Sequence, residues 1–255
     1  MDPFSDWCDV AVINVGPRLL TILTARPIHV AQARDAIAAS VPEHYISEEH
    51  IARLLARLGK TASAALVEEK LPTTKAIRSG DLGEILGTEF IGQYTGFAAP
   101  IKRLRWKDHR NMAMRGEDVI AIAREPGSGQ LLFLKCEAKS RANLTAGVVA
   151  TARQNLDKYG GLPSAHAVAF VSARLLETGS DVLADEIEDA LLKHGISANS
   201  VEHLIFVFSG NSPRELLEEC LLGYAGPIRQ AAAGIQIATH TAFVRDVYAT
   251  VIANG

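Results

Sequence analysis

Two apolar runs around a glycine-rich turn constrain the fold of this chain more than any other feature of its sequence. They lie within residues 115–141, are rich in Val, Ile, Leu and Phe, and flank the Pro-Gly-Ser-Gly turn at residues 126–129. Apolar runs of strand length around such a turn are typical of a β-hairpin. Asp118 opens the first strand and Glu137 ends the second, so a hairpin can bring the two acids together.

The end of this hairpin carries a charge pattern that suits a metal ion. Residues two apart in a strand point to the same side, so Glu137 and Lys139 project together with the Ala138 carbonyl between them. With Asp118 alongside, two carboxylates and a carbonyl form a hard oxygen site for Mg²⁺ or Mn²⁺. A lysine beside such a metal can orient a water or stabilise a phosphate. Acid-x-Lys is also common on solvated strand edges, and the hairpin alone leaves both interpretations open.

Composition narrows the class of protein without selecting one. The 255 residues can bury one sizeable core with a small N-terminal lobe. The net charge of −3 gives no global attraction to nucleic acid, so DNA binding would need a local basic groove. Three scattered cysteines predict a reduced, cytoplasmic chain. We find no apolar run that could span a bilayer, and no Walker A loop, nucleophile elbow or zinc cluster.

The N-terminal part, residues 1–75, is predicted to form a small α+β lobe. Two β-prone runs around Gly16 predict a hairpin, and helical periodicity follows them. Ser47 is a good N-cap for the second helix, and Gly59 is a plausible end for it. The predicted strands are residues 9–15 and 19–25, and the predicted helices are residues 30–40, 48–58 and 62–70.

A glycine-rich helix is predicted from residue 79 to about residue 94. Three glycines in two turns cost roughly 1 kcal/mol each relative to alanine, which indicates close approach to another element, such as the sheet. Glu84 would then face the acids of the hairpin. The spacing of Asp81 and Glu84 also fits a capping box, in which Glu84 would only bond the helix N-terminus.

Residues 101–115 are the one basic block of the chain. If this segment is extended, Leu104 and Trp106 share one face, and the basic residues share the other. The apolar face would pack inward and leave the basic face for DNA phosphates. A solvated basic edge that blunts strand pairing is the alternative. The predicted phosphate-contacting side chains are Arg103, Arg105 and Lys107.

The rest of the chain, from residue 76 to residue 255, is predicted to complete one α/β domain. Gln154, on a helix after the hairpin, shares a face with Lys158 that could point toward DNA. A strand–helix–strand rhythm then predicts a βαβ crossover on the same sheet. The predicted helices are residues 143–159, 183–194 and 213–222, the predicted strands are residues 166–173 and 201–208, and residues 228–253 are predicted to be mostly helical.

In their order along the chain, these motifs resemble the nuclease subunit of the Hachiman anti-phage defence system. The motifs are Leu71-Pro72, residues 78–84, the basic block, residues 116–118 (Gly-Glu-Asp) and residues 137–139 (Glu-Ala-Lys). The last two also resemble the active site of the PD-(D/E)xK nuclease superfamily. The resemblance implies a restriction-endonuclease-like α/β core with a mixed central sheet flanked by helices.

The resemblance also implies an activity, a set of site residues and partners. The chain would be a Mg²⁺- or Mn²⁺-dependent DNA endonuclease that acts with a superfamily 2 helicase. Glu84, Asp118 and Glu137 would bind the metal together with the Ala138 carbonyl, and Lys139 would be the catalytic lysine. Two other hypotheses stay open: a nuclease-like subunit that binds DNA or regulates the helicase without cutting, and an unrelated α/β assembly protein.

Overall fold

A mixed six-stranded sheet organises the computed structural model, which describes residues 1 and 3–254. Within these residues the strand order is β1-β2-β6-β5-β4-β3. The hairpins β1–β2 and β3–β4 are antiparallel, whereas β6 and β5 pair in parallel with both of their neighbours. The strands are β1 (Cys8–Val15), β2 (Arg18–Ala25), β3 (Val119–Arg124), β4 (Leu131–Arg141), β5 (Val201–Ser209) and β6 (Arg229–Gln236).

Helices cover both faces of the sheet. The predicted ends of the helix at residues 48–58 are confirmed, because its capping residues adjoin it in sequence. Ser47 accepts a hydrogen bond from the N–H of His50, and Gly59 ends the helix with φ +82°. Among the described residues, no helix is both long and apolar enough to cross a membrane. The helices are α1 (Val30–Tyr45), α2 (Glu48–Leu58), α3 (Lys60–Lys70), α4 (Lys75–Tyr94), α5 (Ala146–Asp157), α6 (Ala165–Glu177), α7 (Asp181–Asp189), α8 (Arg214–Leu222) and α9 (His240–Asn254).

The N-terminal hairpin is part of the main sheet rather than a separate layer. Strand β2 pairs in parallel with β6, with Leu20 opposite Ala232. One apolar cluster joins the N-terminal helix α1 to α4, α9 and the side chains of Phe206 and Phe208. The predicted hairpin is therefore confirmed, but the sheet and this core run across the predicted boundary at residue 75.

Two predicted elements have the wrong type. Residues 166–173, predicted as a strand, belong to helix α6, which Ser164 caps by accepting a hydrogen bond from the N–H of Ala167 (3.1 Å). Residues 229–236, predicted to be helical, form strand β6 in the middle of the sheet. The chain therefore crosses from β4 to β5 through α5, α6 and α7, and from β5 to β6 through α8.

Candidate functional site

The β3–β4 hairpin brings Asp118 beside the end of β4. The two strands are antiparallel with Val119 opposite Cys136, so Asp118, one residue before β3, comes next to Glu137. The Asp118 Oδ2 atom accepts a hydrogen bond from the backbone N–H of Ala138 (2.9 Å). One backbone contact thus links the acid of the first strand to the acid-x-Lys segment of the second.

Glu137 and Lys139 form a close ion pair on the face of β4 that is covered by α5. The Lys139 ammonium donates to the Glu137 carboxylate and also lies 3.3 Å from the Ala138 carbonyl oxygen. Both side chains are mostly buried. A charge-assisted bond of this kind holds the lysine at a fixed point beside both acids.

Asn155 is a residue of the site that sequence reasoning missed. Its Nδ2 atom donates to Glu137 Oε1 at 2.6 Å. Gln154, the residue predicted on this helix, is exposed instead. The signal was present in the sequence, because Ala152 and Leu156 mark the buried face of α5, and Asn155 lies closer to that face than Gln154 does.

Glu84 lies on α4, which packs against the face of the sheet opposite to the face covered by α5. Its neighbour Gly83 packs against β4, where an ideal Cβ at position 83 would lie 3.0 Å from the Ser140 Cβ atom. The glycine therefore allows the close approach that the sequence indicated. The capping-box interpretation is wrong, because α4 already begins at Lys75.

The basic block is turned inward rather than extended. Residues 103–106 form a short 3-10 helix, so the predicted extended conformation is wrong. The three basic side chains that were predicted to contact phosphate each contact the protein itself. Arg103 Nε lies 3.1 Å from Glu84 Oε1, Arg105 Nε donates to the Glu43 carbonyl (2.8 Å), and Lys107 Nζ donates to Asp81 Oδ1 (2.8 Å).

Burial dominates the electrostatics of the acids. It raises the pKa of Asp118 to about 6; the nearby Glu137 charge adds to this rise, and Lys139 and Arg103 oppose it. Burial also raises the pKa of Glu84 to about 8, against the attraction of Arg103. The ion pair does not prevent this rise, because neither Glu84 Oε1 nor Arg103 Nε makes a hydrogen bond.

The donor set suits a hard divalent cation. Asp118, Glu137 and the Ala138 carbonyl offer oxygen ligands, and Glu84 Oε1 is a buried carboxylate oxygen without a hydrogen-bond partner. A divalent cation would give this buried oxygen the partner that it lacks in the protein. Within the described part of the chain, the oxygens of the three acids do not all lie within 4.8 Å of one another. The hairpin contacts join Asp118, Glu137 and Ala138: Asp118 accepts from the Ala138 N–H, and the Lys139 ammonium donates to both Glu137 and the Ala138 carbonyl.

A second acidic group in the described residues has ligand spacing but no need for an ion. Ligand atoms of Glu43, His44 and Glu89 all lie within 4.8 Å of one another. Lys102 Nζ lies 2.7 Å from Glu43 Oε1 and 3.9 Å from Glu89 Oε1, and His44 Nε2 lies 2.8 Å from the same Glu89 oxygen. These contacts balance the negative charge of the two carboxylates. They also connect the segment after α4, which carries Lys102, to α1.

The close approach of α4 to β4 gives a first prediction. We expect Gly83→Leu to lower the free energy of unfolding by about 2–3 kcal/mol, because the new side chain must push α4 away from Ser140. Gly80→Leu on the same helix is the matched control. Nothing lies within 4 Å of its added Cβ, so it should stabilise by about 0.5–1 kcal/mol. Urea denaturation measures both; equal effects at the two positions would contradict the packing argument.

The buried Glu84 carboxyl gives a second prediction, for the chain without divalent cations. Its folded pKa of about 8 lies above the ordinary 4.5, so the folded state binds more protons than the unfolded state between these values. The free energy of unfolding should therefore fall as pH rises through this window. Asp118, with its pKa of about 6, adds to the fall at the lower end of this window. Glu84→Gln should remove the fall above pH 6 and be more stable than the parent at pH 8, by on the order of 2 kcal/mol.

Denaturation at pH 5 and pH 8 in the presence of a chelator measures the effect. At pH 5 the folded parent already carries the protonated carboxyl, so the parent and Glu84→Gln should differ little there. Glu186→Gln is the matched control, because Glu186 lies at the surface and pairs with the exposed Arg124. A parent and variant with parallel pH dependence would show that Glu84 is ionised in the folded protein.

Fold and site together define the class: an α/β protein with a mixed sheet and an acid–acid–lysine cluster at the end of a hairpin. The family model described as HamA matches residues 2–251, so the chain belongs to the HamA family. The chain is also similar to the Hachiman protein HamA of Bacillus cereus, with 25% identity over 150 residues. That match covers 59% of this chain and 52% of the relative, so the chain spans about half the length of the curated relative it matches. The predicted resemblance to the Hachiman family is confirmed.

Proposed function

We propose that this chain is a metal-dependent DNA endonuclease subunit of an anti-phage defence complex, with a PD-(D/E)xK type of active site. The observation that carries the proposal is the convergence of Asp118 with Glu137 and Lys139 at one end of the β3–β4 hairpin. A binding module has no chemical need for two partly desolvated acids and a lysine at one point. Phosphodiester hydrolysis uses all three.

Each residue has a separate part in the proposed reaction. Asp118, Glu137 and the Ala138 carbonyl would hold Mg²⁺ or Mn²⁺, with Glu84 as a further ligand from α4. A bound divalent cation would supply Lewis-acid stabilisation and lower the pKa of an attacking water. Lys139 would place a positive charge beside the phosphate oxygens. Asn155 would orient the Glu137 carboxylate through its hydrogen bond.

The proposed partners are DNA and a superfamily 2 helicase in the cytoplasm, on the basis of the resemblance to Hachiman subunits. Of the four predicted DNA-contacting residues, Gln154 is exposed and lies on the helix that carries Asn155. Arg105 and Lys107 are already bonded within the protein, so they would support the basic segment rather than bind phosphate. Arg103, next to Glu84, stays the proposed phosphate contact nearest the site.

One experiment tests the activity. Plasmid and single-stranded circular DNA are incubated with the chain, alone and with its helicase partner, in Mg²⁺, in Mn²⁺ and in a chelator. We expect cutting only with a divalent cation and only by the parent, while Glu137→Gln, which keeps the side-chain size, should be inactive. In the same preparations, divalent cations should raise the thermal midpoint of the parent more than that of Asp118→Asn. Cutting by Glu137→Gln at the parental rate would rule out this site.

A second candidate function is a nuclease-like subunit that binds DNA or restrains the helicase without cutting. The inward pairing of Arg103 with Glu84 favours it, because a basic side chain already neutralises one of the acids. This candidate predicts steeply salt-dependent DNA binding and no cutting under any of the conditions above, including the full complex.

A further inference from the structure

A cavity of about 360 Å³ lies directly beside the candidate site. The basic block (residues 101–115) forms one wall, and α6 forms the other. Asp118 and Arg103 line it, so the cavity and the proposed metal site share two side chains. Nothing in the proposed hydrolysis of the phosphodiester uses this space.

The walls of the cavity are mainly aromatic and aliphatic. Trp106 and Phe170 meet edge to face, with their ring centroids 6.3 Å apart. The guanidinium of Arg174 lies 5.7 Å from the first ring centroid and 5.2 Å from the second, which fixes the pair in place. Two methionines, Met112 and Met114, complete the lining with sulfur atoms that adapt to flat rings.

The mouth of the cavity carries basic groups. Arg115 is exposed and, within the described residues, makes no hydrogen bond or ion pair. His109 and His166 are also exposed and line the same opening. Glu117, a buried acid in the lining, is bonded to the N–H and hydroxyl of Ser164 and lies 3.8 Å from the Lys135 ammonium, which balances its charge. Asp108 is the one exposed acid among the lining residues, against the basic side chains of Arg103, Lys107 and Arg115.

We infer that this cavity binds one nucleobase of the DNA strand that is cut, with the attached phosphate beside Arg115 and Arg103. The inference rests on the proposed nuclease function and deepens it by naming the form of the substrate. The volume lies at the lower end of ordinary ligand pockets, which suits one nucleotide. Apolar and aromatic walls give a surface on which any of the four bases can stack.

A base inside a duplex cannot enter such a cavity without leaving its stack, which costs a few kcal/mol. The substrate strand should therefore be single-stranded or unpaired next to the cut. This requirement also gives the proposed helicase partner a role, because it would produce unpaired strand. The chain should bind single-stranded DNA more tightly than duplex of the same length.

The test fills the cavity and measures binding without metal, so that nothing is cut. The probe is a short oligonucleotide with 2-aminopurine, single-stranded or annealed to its complement, in a chelator. Ala113→Leu and Ala113→Ile each place a branched aliphatic side chain at the opening, with no ring on which a base could stack; the position is exposed, so the fold should tolerate them. Ala56→Leu, on the exposed face of α2, is the matched control.

We expect both filling variants to bind the single strand at least about tenfold more weakly than the parent, with duplex binding changed less than about twofold. The control should bind like the parent. Parental affinity in both filling variants would overturn the inference, and so would an equal loss for single strand and duplex, which would indicate a general basic groove.

A second measurement does not depend on any variant. The chain has two tryptophans, and Trp7 is fully buried, so a change in emission on adding thymidine monophosphate reports Trp106. We expect saturable quenching; none at any concentration would overturn the inference. Failure of the nuclease proposal is distinguishable, because Glu137→Gln would then match the parent in the cutting assay while the filling variants still lose single-strand binding.

Discussion

A Lys139→Met variant is expected to cut DNA on the order of 1,000-fold more slowly than the parent chain. The Lys139 ammonium lies against Glu137 and the Ala138 carbonyl, where it would face the phosphate held beside the proposed metal. Loss of one fixed charge of this kind commonly costs 10²–10³ in rate. Methionine keeps most of the side-chain volume, so the fold should be retained. Initial cutting rates at saturating Mg²⁺ measure the effect.

Two comparisons separate chemistry from a general loss of charge. Lys193→Met removes an exposed lysine that pairs with Asp189 at the surface, and it should leave the cutting rate within about twofold of the parent. Binding of Mn²⁺, followed by its electron paramagnetic resonance signal, should be retained in Lys139→Met, because the carboxylates remain. A Lys139→Met variant that cuts at the parental rate while Glu137→Gln is inactive would remove the lysine from the proposed mechanism.

The part of the site that could be predicted from sequence is the part held by local structure. Asp118, Glu137 and Lys139 belong to one hairpin whose turn, at residues 126–129, sets the register. Hairpin register depends on a few neighbouring residues, so a reader of the sequence can derive it. The N-terminal hairpin and the cap of α2 were predictable for the same reason.

The rest of the site depends on contacts between distant segments. The pairing of Arg103 with Glu84 requires the loop after α4 to fold back over that helix. Basic residues in sequence indicate a positive surface, but here three neighbouring basic side chains serve as internal anchors. Sequence spacing does not show which acids are already close enough to neutralise them.

The two misassigned elements failed for different physical reasons. Residues 166–173 were predicted as a strand because they are rich in β-prone side chains. Val168, Val171 and Leu175 nevertheless recur at the spacing of one helix face, and they are the buried side of α6. In β6, the run Ala231–Gly234 has little strand propensity of its own. Its conformation is imposed by β2 and β5, which pair with it on both sides. Propensity is a weak guide wherever the tertiary context supplies both hydrogen-bonding neighbours.

Lys135 is a buried lysine on the same face of β4 as Glu137. It holds the end of α5, the helix that carries Asn155. The Lys135 ammonium donates to the carbonyls of Leu156 (3.0 Å), Lys158 (3.1 Å) and Leu162 (3.0 Å). It also lies 3.8 Å from the Glu117 carboxylate. Three carbonyls at the end of α5 and in the following turn thus depend on one cation, which makes this lysine structural although it lies two residues from Glu137.

Replacing Lys135 by methionine should therefore lower the free energy of unfolding by about 3–5 kcal/mol, the usual cost of breaking a buried ion pair from one side. The variant leaves three carbonyls without their donor and Glu117 without its counter-charge. Adding Glu117→Gln removes the uncompensated charge, so the double variant should recover about 1–2 kcal/mol relative to Lys135→Met. Urea denaturation measures all three proteins.

Lys193→Met is the matched control, because Lys193 is 65% exposed and its pair with Asp189 lies on the surface. It should change the free energy of unfolding by less than about 1 kcal/mol. If Lys135→Met were as mild as this control, the ammonium would not hold the end of α5. If the double variant were no more stable than Lys135→Met, the loss would come from the carbonyls alone. Only the first result would contradict the support that this network gives to Asn155; the second would assign that support to the three carbonyls and not to Glu117.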